Sequence, residues 1–421
     1  MTLEVVLQQL AAPQALEALS AHWEDSAASL PPGLPDFLQP ESFLEWRRFC
    51  ELDPSADAAL LAGAERVRTD PALLRLTWHC YRRLYHHTDS GGFNAWPDLE
   101  SVLGDLAGVP YLLVTLAMVP LVRQAHAAMG VPDDVTRETC LQAQSFSLNY
   151  RDAHRGRWGV FRNQLYWLRH YPACRLFRLG RFEFMLQPFS GAVEVYRRRD
   201  TGQALALSED GVRYDAQGYR PINDAEPEGG FTGQLRHGDG LVEGTPISPL
   251  GMAIDRTVRL DLTHWEPVLK RGDTVLDMHI PAGGNMTPER AKDSFERAVR
   301  FFAEQFPDRP AHAIACGSWI YNTQFEELLG PEANLVKHMR EVYLFPIASS
   351  GRDGLWFLFY TDDVDPATAR RDSSVRRAVL DHLAAGKHLR AGGMFMLTCD
   401  VCHYGTQWYR QNSSFEGGWD A

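Results

Sequence analysis

The sequence predicts an α+β protein, with a helical N-terminal domain followed by a mixed α/β domain. Three observations predict it. Apolar residues recur at three- and four-residue steps through much of the first 150 residues. After about residue 172 the texture changes to β-branched and aromatic runs punctuated by turn residues. Residues 274–321 then read as strand, glycine-containing loop, long helix and strand. The expected boundaries are 1–150 for the helical domain, 151–173 for a junction segment and 174–421 for the α/β domain with a C-terminal extension.

In the helical domain, Pro71–His86 places Leu73, Leu76, Cys80 and Leu84 on one stripe. Leu112–Met129 continues in that style and stops at Gly130, with Pro132 behind it, a common helix exit. Pro132 then opens the segment holding Val135 and Cys140. In the second domain, Leu176–Leu186 and Ala192–Arg197 read as strands, with turns around Asp200–Gly202 and Ser208–Gly211. Tyr214–Gly244, rich in Gly, Pro, Asp and Glu, reads as a long surface excursion. Thr274–Pro281 is a strand and Ala282–Met286 a short loop. Thr287 is a good N-cap and Pro288 suits the first helical position. That helix runs to about Gln305, with Ala291, Phe295, Ala298, Val299 and Phe302 on one face. His312–Tyr321 is a strand, and Thr323 and Glu326 have the spacing of a capping box for a short helix ended by Gly330 and Pro331. Asn334–Arg340 adds a turn or two. Val342–Ile347 and Leu355–Thr361 read as apolar strands, and a helix near Ser373–Ala385 precedes a last strand, Met394–Leu397.

Composition bounds what such a protein does. With 45% hydrophobic and 11% aromatic residues the chain can bury a full core, and 23% charged residues does not make a disordered chain. A net charge of −12 argues against a nucleic-acid binder, which needs a basic field, and against attraction to anionic membranes. The N-terminus, MTLEVVLQQL, has no basic region followed by an apolar run, so no targeting segment is read there. The longest apolar stretch, Gly108–Val122, is broken by Pro110 and Pro120 and reads as a buried helix too short to span a bilayer. Seven cysteines, an odd number without a secretory signal, indicate reduced thiols and a cytoplasmic protein.

The strand–loop–helix unit at 274–305 is the most informative. A helix N-terminus offers unpaired N–H groups and partial positive charge, a natural cradle for a pyrophosphate. Gly283 and Gly284 allow close backbone approach, although many strand–helix turns carry two glycines and bind nothing. On the strand, Asp277 and His279 share a face because side chains alternate. A histidine beside a carboxylate is a candidate general base; the alternative is a core-edge histidine bonded to structure.

Four features resemble a bacterial family of acyltransferase-domain proteins, with a helical N-acyltransferase N-terminal domain and a GNAT-like C-terminal domain. They are Gly156–Phe182 (GRWGVFRNQLYWLRHYPACRLFRLGRF), Arg271–Gly284 (RGDTVLDMHIPAGG), Ser318–Asn334 (SWIYNTQFEELLGPEAN) and the strand–helix order joining them. The resemblance implies transfer of an acyl group, acetyl first among them, from coenzyme A to an amine of a small molecule or peptide. It implies acyl-CoA as co-substrate, with neither metal nor haem. Thr274–Pro281 would flank the thioester, and Gly283, Gly284, Asn285, Met286 and Thr287 would hold the CoA pyrophosphate. His279 or Asp277 would take the amine proton, and Tyr321 or Tyr343 would protonate the leaving thiolate. One departure stands out: the usual phosphate loop, Q/R-x-x-G-x-G/A, begins with a basic or amide residue, where this chain reads Pro281-Ala-Gly-Gly-Asn-Met. A non-catalytic ligand-binding or regulatory protein that keeps the fold is the alternative. A cupin-like sandwich, suggested by GDTVLDMHIPAGG, is disfavoured by the long helix that follows.

Residues 151–181 hold Arg151, Arg155, Arg157, Arg162, Arg169, Arg175, Arg178 and Arg181 against one acid, Asp152. They read either as a solvated helix face or as an electropositive groove for CoA phosphates, with Arg155, Arg157 and Arg162 as the candidates. Cys399-Asp-Val-Cys402-His403 has the c-type haem spacing but no export signal, and zinc would need a second ligand pair, so it reads as a free thiol pair. Cys316 reads as a buried small hydrophobe rather than a nucleophile. Trp319 reads as packing, and Asn334 equally as a turn cap or a ligand contact.

Overall fold

The computed structural model describes residues 1–87, 91–225 and 229–413. The chain forms two compact units. The first holds Met1–Leu179 and Ile280–Gly284, and the second holds Gly180–His279 and Asn285–Ala421.

The first unit is helical. The Pro71–Tyr85 helix starts where the sequence places it: the Asp70 carboxylate accepts from Ala72 N–H at 2.8 Å and Leu73 N–H at 3.2 Å, and Pro71 fills the first position. Leu73, Leu76, Cys80 and Leu84 are buried. Val109–Leu116 and Met118–Met129 form consecutive helices, and Gly130 closes them in the left-handed conformation (φ 75°). This run is 21 residues long, longer than the sequence reading allows and long and apolar enough to cross a membrane. Here every residue from Val109 to Val119 is buried within the unit, as in a core helix. The expected junction segment, 151–173, is packed into this unit. Val160 N–H donates to the Gly108 carbonyl at 3.2 Å, and Arg151 lies 4.0 Å over the Trp158 ring. The compact unit runs on to Leu179.

The second unit is built on a mixed sheet in the order Phe182–Pro188, Thr274–His279, Ala313–Ser318, Gly392–Leu397, Tyr343–Pro346. The pair Thr274–His279 and Ala313–Ser318 is parallel; the other neighbours are antiparallel. The Pro288–Gln305 helix makes the parallel crossover. Thr287 caps it by accepting from Arg290 N–H, and Ala291, Phe295, Ala298 and Phe302 are buried, while Val299 is half-buried. A second sheet, in the order Met252–Ala253, Pro246–Ser248, Ala204–Ser208, Val193–Arg198, Trp265–Leu269, is antiparallel. It shares a core of Tyr196, Leu205, Leu207 and Trp265 with Val242, Val258 and Leu260 of a small three-stranded sheet. Part of the 214–244 excursion is therefore sheet; residues 226–228 of it lie outside the described residues.

Three expectations for this unit are corrected. Leu355–Phe359 is one helical turn, not a strand, because Gly354 (φ 90°) and Tyr360 (φ 62°) hold left-handed conformations on either side of it. Thr323 and Glu326 do not form a capping box: the Thr323 hydroxyl donates to Tyr219 Oη at 3.0 Å, and Glu326 pairs with Arg340 and Arg410. The strand expected over His312–Tyr321 gives way at Trp319 to a 3₁₀ turn.

Candidate active site

The parallel pair is the heart of the site. Its register runs Val275–Ala313, Leu276–Ile314 and Asp277–Ala315, and ends there. Both strands continue with their outer partners, to His279 opposite Glu183 on one side and Ser318 opposite Gly392 on the other. Beyond Asp277 and Ala315 the two facing edges are therefore no longer paired with each other.

Directly paired residues share a sheet face. One face thus carries Val275, Asp277 and His279, then Ala315 and Gly317, then Gly393, then Phe345. The small side chains in the middle leave space. A cavity of about 650 Å³ opens there, lined by Val275, Asp277, Ala315, Cys316, Gly317 and Phe345, with the 187–192 loop, Arg220, Arg271 and 346–348 around it. That volume falls in the small-molecule range. Gly393 makes the Phe345 position possible: a Cβ on it would lie 2.4 Å from two atoms of that ring.

His279 Nε2 lies 3.1 Å from Asp277 Oδ2, and both side chains are partly exposed. The sequence expectation that they share a face holds in space, with Asp277 on the cavity wall. Glu183, directly across from His279, is a buried carboxylate that the sequence reading missed. Its one signal was a single acid inside an otherwise apolar strand. Cys316 is buried, and burial together with the Asp277 carboxylate pushes its thiol up, so it stays protonated.

Neither Tyr321 nor Tyr343, the two tyrosines expected to protonate the thiolate, is among the residues lining the cavity. Tyr321 is fully buried with its hydroxyl 3.0 Å from His338 Nε2. Tyr343 Oη donates to the Ile247 carbonyl at 2.5 Å and accepts from Ala206 N–H at 3.2 Å, tying the two sheets together. Burial raises both phenols above their usual range.

In the loop before the long helix, Gly283 and Gly284 take φ of 82° and 73°, conformations that favour glycine. Asn285 is exposed, and its carbonyl accepts from Arg290 Nη1 at 3.3 Å; Met286 and Thr287 are half-buried. The first turn of the helix already holds a carboxylate. Glu289 is kept below the usual range by its own N–H and the Thr287 hydroxyl. In the helical unit, Arg157 is paired with Glu100 at 3.0 Å and Asp105 at 2.8 Å, and Arg162 donates to the Trp96 carbonyl at 3.0 Å. Arg155 is exposed, with φ 53°.

Cys399 and Cys402 are exposed in the Thr398–His403 turn. Cys399 Sγ lies 3.3 Å from Arg197 Nη1, which also pairs at 2.6 Å with the buried Asp400. Among the described residues no group of three His, Cys, Asp or Glu is placed to hold a metal ion. Trp319 stacks on the exposed Phe357 and packs edge-on against Phe325. Asn334 opens the Asn334–Met339 helix, whose cap position is Ala333.

The folds and this site define a class. Residues 45–173 match the N-acyltransferase N-terminal domain, and residues 176–396 match the GNAT-like C-terminal domain. The chain belongs to this two-domain acyltransferase family. No curated protein matches it in sequence. In fold it is similar to an acyltransferase solved in complex with CoA and 10C-teicoplanin, with a TM-score of 0.65 and 22% identity over 94% of this chain and 100% of that one. An acyltransferase in complex with decanoyl-CoA and teicoplanin gives the same values. A mutant acyltransferase in complex with octanoyl-CoA gives a TM-score of 0.64 and 22% identity over 94% of this chain and 99% of that one.

Proposed function

We propose that this chain is an N-acyltransferase that moves an acyl group from acyl-CoA to an amine of a small molecule or peptide. The observation that carries the reading is the cavity on the face of a parallel strand pair that parts at Asp277, with His279 two residues further along the same face. In the proposed reaction the amine nitrogen attacks the thioester carbon. The C–N bond forms, the C–S bond breaks, and the proton shed by nitrogen goes to His279, whose imidazolium the Asp277 carboxylate stabilises. An ordinary thiol has a pKa near 8.5, so the thiolate is a fair leaving group and is reprotonated by the same imidazolium. Backbone N–H groups between the parted strands would polarise the carbonyl oxygen. Gly283, Gly284, Asn285, Met286 and Thr287 are proposed to hold the pyrophosphate.

Acetyl-CoA is the shortest donor in this proposal. Acyltransferases of the same fold are solved with octanoyl- and decanoyl-CoA, and the apolar cavity wall at Val275, Ala315 and Ile347 suits chains longer than acetyl. Isothermal titration with CoA, acetyl-CoA and decanoyl-CoA tests donor use, and thiol release with added amines tests transfer. His279→Gln should keep donor affinity and lower turnover by about 10²–10⁴-fold. Failure of every donor to bind at millimolar concentration would reject the reading in favour of a non-catalytic protein on the same fold.

A further inference from the structure

Two arginines line the cavity, and they are not equivalent. All three nitrogens of the Arg271 guanidinium donate: Nε and Nη2 to the two Glu209 oxygens at 2.8 and 2.7 Å, and Nη1 to the Ser190 carbonyl at 3.1 Å. Arg220 is not. Its Nε is buried with no hydrogen-bond partner, and Nη2 reaches Asp224 only at 3.5 Å, where that carboxylate is 65% exposed. A buried guanidinium N–H without an acceptor is unfavourable, and this one lies on a cavity wall.

The loop that presents Arg220 is also built for position. Asp215 Oδ1 accepts from Gln217 N–H and Tyr219 N–H, each at 3.0 Å. Gly218 (φ 85°) passes so close to the Ala253 carbonyl that a Cβ would lie 2.0 Å from its oxygen. Arg390 donates to the Arg220 carbonyl at 2.9 Å, pairs with Asp215 at 2.8 Å and lies over the Tyr219 ring at 4.8 Å. The loop's own Asp215 and two other segments, at Ala253 and Arg390, thus fix the Arg220 backbone while its guanidinium keeps donors to spare. Such pre-organisation suits recognition.

We propose that Arg220 anchors a carboxylate of the acyl acceptor, making the acceptor an amino-acid-like molecule: an amine at the Asp277 side of the cavity, a carboxylate on Arg220 and an apolar body against Phe189 and Phe345. The planar fork of arginine matches a carboxylate in two-point contact. One guanidinium balances one negative charge, and Asp277 in the same wall disfavours a doubly charged group. The inference rests on the acyl-transfer reading for the amine end, but the carboxylate end can be tested alone.

Phenylacetate and its neutral isostere phenylacetamide are the probes, titrated by ligand-observed NMR against the full chain. The unsubstituted protein should bind the acid about tenfold or more tighter than the amide, the worth of one charged hydrogen-bond pair. Arg220→Gln should erase that preference. Arg220→Lys, which keeps the charge but loses the fork, should retain part of it and serves if the glutamine variant does not fold. Equal binding of acid and amide by the unsubstituted protein, or an undiminished preference in a folded Arg220→Gln, would overturn the proposal. So would a loss of decanoyl-CoA affinity in Arg220→Gln, which would assign the residue to the donor. A carboxylate preference removed by Arg220→Gln in a protein that binds no acyl-CoA would uphold the site and reject acyl transfer.

Discussion

His338 offers a stability test whose size can be worked out in advance. The imidazole is fully buried, with Nδ1 2.8 Å from Tyr404 Oη and Nε2 3.0 Å from Tyr321 Oη, between the rings of Phe182 and Phe295. Burial, helped by the Arg181 charge, depresses its pKa from 6.5 to about 3. Because the folded value is the lower one, the contribution is present above pH 6.5. It is lost as pH falls toward 3, where the unfolded chain binds a proton that the folded chain does not. The slope is about 1.4 kcal/mol per pH unit, so at pH 5 this one residue removes about 2 kcal/mol. His79 and His126, held down to about 3 and about 4 in the helical unit, act with the same sign. The perturbation is His338→Gln, which can still bond to a tyrosine hydroxyl but does not titrate. Urea unfolding followed at half-unit steps from pH 7.5 to 4.5 should show the slope below pH 6.5 reduced by about 1.4 kcal/mol per pH unit, with no change above it. An unchanged slope would refute the reasoning, since it would mean that the buried imidazole is not what resists protonation.

Gly393→Ala places a methyl 2.4 Å from the Phe345 ring; it should destabilise by about 1–3 kcal/mol in urea titrations and push that ring into the cavity, reducing phenylacetate binding. Tyr343→Phe removes a hydroxyl that serves Ile247 and Ala206 together; a loss of about 1–3 kcal/mol is expected, and no loss would mean the two sheets do not depend on that link. Arg157→Ala should leave acyl-CoA affinity within twofold and cost the helical unit about 1 kcal/mol or less, since its two ion pairs are partly exposed; a tenfold loss of affinity would restore the arginine-groove reading.

Much of the architecture is written locally and was legible. Thr287 and Pro288 announce the start of the long helix, alternation across 274–279 puts Asp277 and His279 on one face, and Gly130 ends the apolar helices. These features depend on neighbours within a few residues. The failures share the opposite cause. LWFLF over 355–359 has the composition of a strand, but two left-handed residues confine it to one helical turn. Thr323 and Glu326 have capping-box spacing, yet Thr323 bonds to a tyrosine 104 residues away. Tyr321 and Tyr343 have the right chemistry for an acid but are buried against partners far along the chain. Arg220 lay in a stretch that composition marks as surface, and only the packing of the 215–220 loop onto Ala253 and Arg390 brings it to a cavity.

Gly317 gives the most direct test of the cavity as the place where donor and acceptor meet. It faces the cavity with unstrained backbone, and a Cβ there meets only Ile347 Cδ1, at 3.4 Å. Gly317→Leu should therefore fold normally while filling the space. Decanoyl-CoA titrated calorimetrically into both proteins should bind the unsubstituted chain and bind Gly317→Leu at least tenfold more weakly. Equal affinity in two proteins of equal melting temperature would contradict the account, because the acyl group would then lie somewhere other than this cavity.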